Sequence, residues 1–88
     1  MKETAESLLR QLIEVEDPSK TNVMYILAVM LERRRIFAER DVQERRDGMK
    51  IRVYEHKKTG ETFLIPDPQL KLSDIHHVQE EVVAMLGG

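Results

Sequence analysis

Apolar residues recur along the first sixteen positions with the spacing of a helix. One stripe of a 3.6-residue period collects Leu8, Leu9, Leu12, Ile13 and Val15. The intervening positions are polar, and acidic residues stand in the first turn, where the positive end of a helix dipole favours them. The pattern predicts a first helix over Glu3–Glu16.

A second helix follows Asp17-Pro18, because aspartate is a good N-cap and proline suits the first helical position. We predict it from about Pro18 to about Glu39. Residues Val23–Leu31 are all apolar, and at about 100° per residue they cover the whole circumference. A helix that is apolar all round must be buried all round.

Burial of that helix has two solutions. It is either a subunit interface or a central helix wrapped by the rest of the chain. An 88-residue chain has little else to wrap it with, so we predict a homodimer, and the wrapped arrangement stays open. The predicted interface comprises Val23, Met24, Ile26, Leu27, Met30 and Leu31.

Beyond Phe37 the period changes from helix to strand. Asp47-Gly48 predicts a type I′ hairpin between Asp41–Arg46 and Met49–His56. The second of these segments alternates clearly between apolar and polar residues. The first alternates poorly, so residues 40–46 are either a strand or the tail of the long helix.

A third strand is predicted over Glu61–Pro66. If Lys58-Thr59-Gly60 is a three-residue loop with Gly60 in the left-handed conformation, Val53 lies opposite Ile65. That register brings the apolar residues of the two strands to one face. The predicted core face carries Ile51, Val53, Phe63 and Ile65.

A last helix closes the chain. Pro66-Asp67-Pro68 ends the sheet, since proline cannot continue a ladder. Ser73 is predicted to cap a helix over Asp74–Leu86, and Gly87-Gly88 to stop it. The predicted architecture is one α+β domain over residues 1–88, with two helices, a three-stranded antiparallel meander and a C-terminal helix.

Composition indicates the cellular compartment in which we expect the protein. The absence of cysteine excludes disulfides and thiolate metal sites, and it suits a reducing compartment. The N-terminus does not resemble a signal peptide, and the apolar run is far shorter than the ~20 residues of a membrane span. We therefore expect a cytoplasmic protein without a membrane partner.

The charge is unevenly distributed. Net charge is −2, but residues 33–58 carry 10 basic and 5 acidic groups, and the segments on either side are acidic. This pattern predicts either an anion-binding face or charges that neutralise each other within the fold or between subunits. Basic side chains around an aromatic would suit phosphate contact with base stacking. The candidate polyanion-binding residues are Arg33, Arg34, Arg35, Lys50, Arg52, Tyr54, Lys57 and Lys58, part of them on the sheet face opposite the predicted core.

Catalytic patterns find no match. His77 and Glu81 are spaced for one helical metal-ligand pair, but a catalytic zinc needs three protein ligands. No serine stands in a strained nucleophile turn, and no glycine-rich phosphate loop occurs. We expect no catalytic residues, cofactor or metal. The sequence predicts a non-enzymatic protein-interaction module that self-associates, with nucleic-acid binding through the basic sheet face as the alternative.

One family shares this element order. Histone-like DNA-bending proteins are dimers of two helices, a sheet and a last helix, and Lys58-Thr59-Gly60-Glu61 followed by Ile65-Pro66 is similar to the turn where their sheet resumes. The chain lacks that family's long β-arm with a proline tip and its Gly-Phe-Gly loop. The resemblance implies a dimer and does not establish membership.

Overall fold

Three helices and a three-stranded antiparallel sheet follow one another in the order α-α-β-β-β-α, which confirms the predicted α+β fold. The computed structural model describes residues 4–68 and 70–87. The elements are α1 (Ala5–Val15), α2 (Thr21–Arg33), β1 (Phe37–Glu44), β2 (Lys50–His56), β3 (Thr62–Pro66) and α3 (Ile75–Met85). Short 3₁₀ turns precede α2 and α3, at Pro18–Lys20 and Leu72–Asp74.

The first helix is bounded by a cap at each end. The Thr4 hydroxyl accepts a hydrogen bond from the Ser7 N–H at 3.1 Å, and the helix ends at Glu16, which adopts the left-handed conformation with φ 56°. The predicted start at Glu3 lies outside the described residues. Val15, counted in the apolar stripe, is 70% exposed, so the helix buries a narrower face than its sequence suggests.

The second helix ends at Arg33, and the predicted extension to Glu39 is wrong. Arg35 adopts a φ of 62°, and the Ile36 N–H donates to the Leu31 carbonyl at 2.9 Å. This pair of features is a Schellman motif, which ends a helix by satisfying its last carbonyls. Residues 40–44 are therefore strand, with a β-bulge between Glu39 and Asp41. Residues 39–44 are all exposed, which accounts for their poor alternation.

The first hairpin turns where Asp47-Gly48 predicts it, but with a longer loop. The Arg45 N–H donates to the Met49 carbonyl at 2.7 Å, and the Gly48 N–H donates to the Arg45 carbonyl at 2.9 Å. Gly48 has a φ of 82°, while Asp47 has no positive φ. The loop thus has three residues and ends on a left-handed glycine, so the predicted type I′ turn is wrong.

The second hairpin is shifted by one residue from its predicted register. Gly60 has the predicted positive φ, 77°, but the His56 N–H donates to the Glu61 carbonyl at 2.8 Å, so the loop has four residues, 57–60. Ile65 consequently lies opposite Arg52 rather than Val53. A shift by one exchanges the two faces of a strand, and Tyr54 and His56 face the core in place of Val53.

The core lies between the helices and one face of the sheet. Leu9, Leu27, Phe37 and Ile65 have no exposed surface. The rings of Phe37 and Phe63 stack with centroids 4.8 Å apart, which joins the two outer strands beneath α2. Ile51, predicted for this face, is buried outside the core cluster.

The last helix begins at Ile75, after a 3₁₀ turn that contains Ser73. The predicted serine cap is therefore wrong, and no side chain caps either segment. Val78 and Val82 bury one face of α3 against the core, as their spacing predicts. Within the part of the chain that the structure describes, no helix has the length and apolarity required to cross a bilayer.

Candidate functional site

The basic segment, residues 33–58, contains two arginines that form ion pairs within the fold. Arg40 Nε lies 2.7 Å from the Glu55 carboxylate. Arg52 Nε donates to Asp67 at 2.9 Å, and its Nη1 lies 3.2 Å from Glu39. The hydrogen bond that Arg52 donates to Asp67 raises the pKa of the guanidinium further above its ordinary value. Arg40 and Arg52 thus have acidic partners within the fold.

Five other cations of the segment meet at one end of the sheet. Phe37 pairs with His56, and the Lys57 N–H donates to the Ile36 carbonyl at 2.9 Å, so the end of α2 and the β2–β3 loop are neighbours. All five side chains are exposed, and none forms an ion pair with any residue in 4–68 or 70–87. We call this cluster the basic pole; it consists of Arg33, Arg34, Arg35, Lys57 and Lys58.

The helix end that builds the pole carries backbone strain. Arg35 occupies the left-handed position of the Schellman motif with φ 62°. Glycine takes that conformation freely, whereas other residues lose about 1–2 kcal/mol in it. The three consecutive arginines also favour the negative end of the α2 dipole, which accounts for positive charge there but not for the strained residue.

A buried histidine shapes the loop that supplies the two lysines. His56 is only 9% exposed, and its Nδ1 accepts hydrogen bonds from the Lys58 and Thr59 N–H groups at 3.1 and 3.3 Å. Because Nδ1 accepts, the ring proton stands on Nε2, which lies 2.8 Å from a carboxylate oxygen of Glu6. Sequence patterns alone did not indicate this role for His56; a histidine two residues before a turn amide is the signal that could have revealed it.

The remaining candidates for polyanion contact lie elsewhere. Lys50 is at the other end of β2. Tyr54 is 1% exposed beside Phe37, and burial raises its pKa to about 12. The predicted aromatic for base stacking is therefore part of the core, and the predicted exposed sheet face is the buried one.

The apolar helix is largely covered by its own chain. Four of the predicted interface residues are buried, namely Val23, Met24, Leu27 and Leu31. Ile26 and Met30 are partly exposed. The other elements of the chain pack around α2, so burial of its apolar residues does not require a partner subunit. Self-association itself stays a prediction.

A groove of about 780 Å³ runs beside β3. It is lined by the end of α1 and the start of α2, by β3, and by the β1–β2 hairpin. Apolar contacts come from Ile13, Met24 and Phe63, whereas Glu14 and Glu16 stand at its rim. We call it the β3-edge groove. Local sequence patterns do not indicate it, because it arises where three separate segments meet.

The described residues contain no group of three side chains placed to hold a metal ion. None of the protein-family models matches this chain. No curated protein and no solved structure is significantly similar to it either.

Proposed function

We propose that this protein is a non-enzymatic binding module that holds a polyanion, with nucleic acid the first candidate, at its basic pole. The observation that carries the proposal is the cluster of five exposed cations without acidic partners among the described residues. Interior charge balance accounts for Arg40 and Arg52 but leaves this cluster uncompensated. An uncompensated patch of one sign attracts ligands of the other.

The chemistry of the pole suits phosphate more than bases. Guanidinium groups bind phosphate oxygens in a bidentate fashion, and lysine ammonium groups add point charge. No aromatic side chain belongs to the pole, since Tyr54 and Phe37 are buried. We therefore expect binding that follows phosphate density and salt concentration, with little sequence preference.

Fluorescence anisotropy tests this expectation directly. Labelled duplex DNA and single-stranded RNA are titrated with protein at 50 and 200 mM salt. If all five cations contact duplex phosphates, the log–log salt slope is about −4.5, and affinity falls roughly 500-fold between the two conditions. Absence of binding at 50 mM salt would refute the proposal.

A matched pair of double variants locates the site. Lys57→Gln with Lys58→Gln removes two charges from the pole, and Arg46→Gln with Lys50→Gln removes two exposed charges from the other hairpin. We expect the first pair to lower the salt slope by about two units and the second to leave it unchanged. Equal losses in both would show diffuse attraction instead of a site. Circular dichroism checks that each variant is folded.

Self-association through α2 is a separate proposal, supported by the partial exposure of Ile26 and Met30. Its test is light scattering at tens of micromolar, where a dimer has twice the 10.3 kDa chain mass. Leu27→Glu would not be informative, because Leu27 is buried in the single chain and the change would unfold it. Ile26→Glu is the better variant: it should convert a dimer to a folded monomer. A monomeric wild-type chain would refute the proposal.

A further inference from the structure

The outer edge of β3 has no partner strand in the described sheet, whose order is β1-β2-β3. The His56 N–H bonds to the Glu61 carbonyl, and the Asp67 N–H bonds to the Lys50 carbonyl. Backbone groups along an antiparallel strand point alternately toward and away from the neighbour. Thr62 and Leu64 therefore direct their N–H and C=O groups outward, where they can accept another strand.

This edge has little of the usual protection. Sheet edges are normally blunted by charges, proline, bulges or a covering segment. Pro66 closes one end, and at the other end Glu61 is engaged by Arg10 in two hydrogen bonds of 2.6 and 2.7 Å. Between them Thr62 is exposed, and Leu64 is an apolar residue with 57% of its surface exposed.

The groove beside the edge supplies space for side chains. Its volume of about 780 Å³ lies within the ~300–1,000 Å³ of typical binding pockets. Ile13, Met24 and Phe63 give it apolar walls. Peptides that extend a sheet gain affinity from backbone hydrogen bonds and specificity from pockets for alternate side chains. Both parts of that arrangement occur along β3.

The charge of the rim selects the occupant. Glu14, Glu16 and Glu44 line the groove, and none forms an ion pair among the described residues. Hydrogen bonds from Ser19 lower the pKa of Asp17, which also lines the groove, so it is ionised at neutral pH. Arg45 is the one lining cation apart from Arg10, which is already paired with Glu61. The rim is thus acidic and suits a basic partner.

We propose that β3 accepts, as an added antiparallel or parallel strand, an extended segment of a partner protein in which apolar residues alternate with lysine or arginine. A second copy of this chain pairing β3 with β3 would bring two acidic rims together, which is unfavourable. Nucleic acid is repelled by the same rim. The groove and the basic pole therefore bind opposite charges, and the proposal does not depend on the function assigned to the pole.

The test uses a labelled seven-residue peptide of alternating valine and arginine, with blocked termini, and the ¹⁵N-labelled full chain. We expect micromolar binding by anisotropy, with the largest amide shifts at Thr62 and Leu64. A peptide with glutamate in place of arginine should bind at least tenfold more weakly. A peptide that is N-methylated at the backbone nitrogens expected to donate hydrogen bonds to β3 should not bind.

Two variants of the same residue separate backbone from side chain. Leu64→Pro removes an outward N–H that the described sheet does not use, and an edge strand tolerates proline at such a position. Leu64→Ala keeps the N–H. We expect the proline variant to lose peptide binding and the alanine variant to retain most of it.

Several outcomes would overturn the proposal. They are equal affinity for the acidic and basic peptides, amide shifts that leave β3 unaffected, and a doubling of particle mass through β3. If Leu64→Pro does not fold, the N-methylated peptide decides the same question with the unaltered protein. Lys57→Gln with Lys58→Gln should leave peptide affinity unchanged, so failure here and failure at the pole are distinguishable.

Discussion

The basic pole and the β3-edge groove differ in charge and in the way the chain builds them. The pole is a group of exposed cations at the end of α2 and in the β2–β3 loop, whereas the groove is a concave apolar surface with an acidic rim. Yet in each of them a helix ends at a charged residue with a positive φ, an exception to the usual preference for glycine at such positions. Arg35 ends α2 at the pole, and Glu16 ends α1 at the groove, both with positive φ.

That shared exception connects charge with stability. Glycine would end either helix without strain, and each charged residue costs about 1–2 kcal/mol in that conformation. In both places the residue has the sign of the surface around it. Charge and backbone strain therefore coincide at these two positions, and strain of this kind is a reason to test them for a role in binding.

The largest expected effect concerns the loop of the pole. His56→Ala removes the acceptor of two backbone N–H groups and leaves a cavity beside Phe37. We expect a loss of about 3 kcal/mol in the free energy of unfolding, measured with urea. The exposed His77→Ala is the control and should change stability little. Peptide binding at the groove should survive His56→Ala wherever the variant is folded; equal stability of the two variants would contradict this account of the loop.

Ionisation of the buried Tyr54 is expected to lower the free energy of unfolding by about 2.5 kcal/mol as the pH rises from 10 to 12. Burial raises the pKa of Tyr54 to about 12, above the ~10 of an unfolded chain. The folded state therefore holds the phenol proton more tightly, so this contribution is complete below pH 10 and is lost as pH rises toward 12. Urea titrations across that range measure it.

Tyr54→Phe is the control for that alkaline loss. It should be folded at pH 7 and lose less stability between pH 10 and 12 than the wild type, because it has no phenol to ionise. It should also leave nucleic-acid affinity at neutral pH unchanged. Loss of affinity in a folded Tyr54→Phe protein would restore the tyrosine to the binding surface and weaken the distinction between core and pole.

The smallest expected effect tests the two helix ends directly. Arg35→Gly and Glu16→Gly should each stabilise the fold by about 1 kcal/mol, seen as a higher urea midpoint. Their binding effects should differ in location. The arginine variant should reduce the nucleic-acid salt slope by about one unit, and the glutamate variant should weaken only the basic peptide. A stability loss in either variant would show that the charged side chain supports the fold itself.

Element type and order could be predicted from local patterns. Helical spacing located α1 and α3, and the glycines at 48 and 60 located the two hairpins, but not the turn type of the first or the loop length of the second. The end of α2 could not be predicted in this way, because Arg35 takes a left-handed conformation for which arginine has no preference. Which face of the sheet is buried could not be predicted either, because a positive φ at Gly60 is compatible with loops of more than one length.

The candidate sites show the same division. Segment charge predicted a basic surface, and five of the eight predicted residues belong to the pole. Lys50, Arg52 and Tyr54 were assigned on a register that was wrong by one residue. The β3-edge groove has no signal in any single segment, since its walls come from parts of the chain far apart in sequence.

Local patterns therefore specify the set of helices and strands, since periodicity, caps and turn residues act over a few neighbouring positions. Which face of the sheet is buried was decided only in the tertiary structure. There His56, held by Glu6 from α1, bonds the amides of Lys58 and Thr59 within a four-residue loop. One more residue in that loop places Tyr54 in the core, because a shift of one residue exchanges the two faces of the strand.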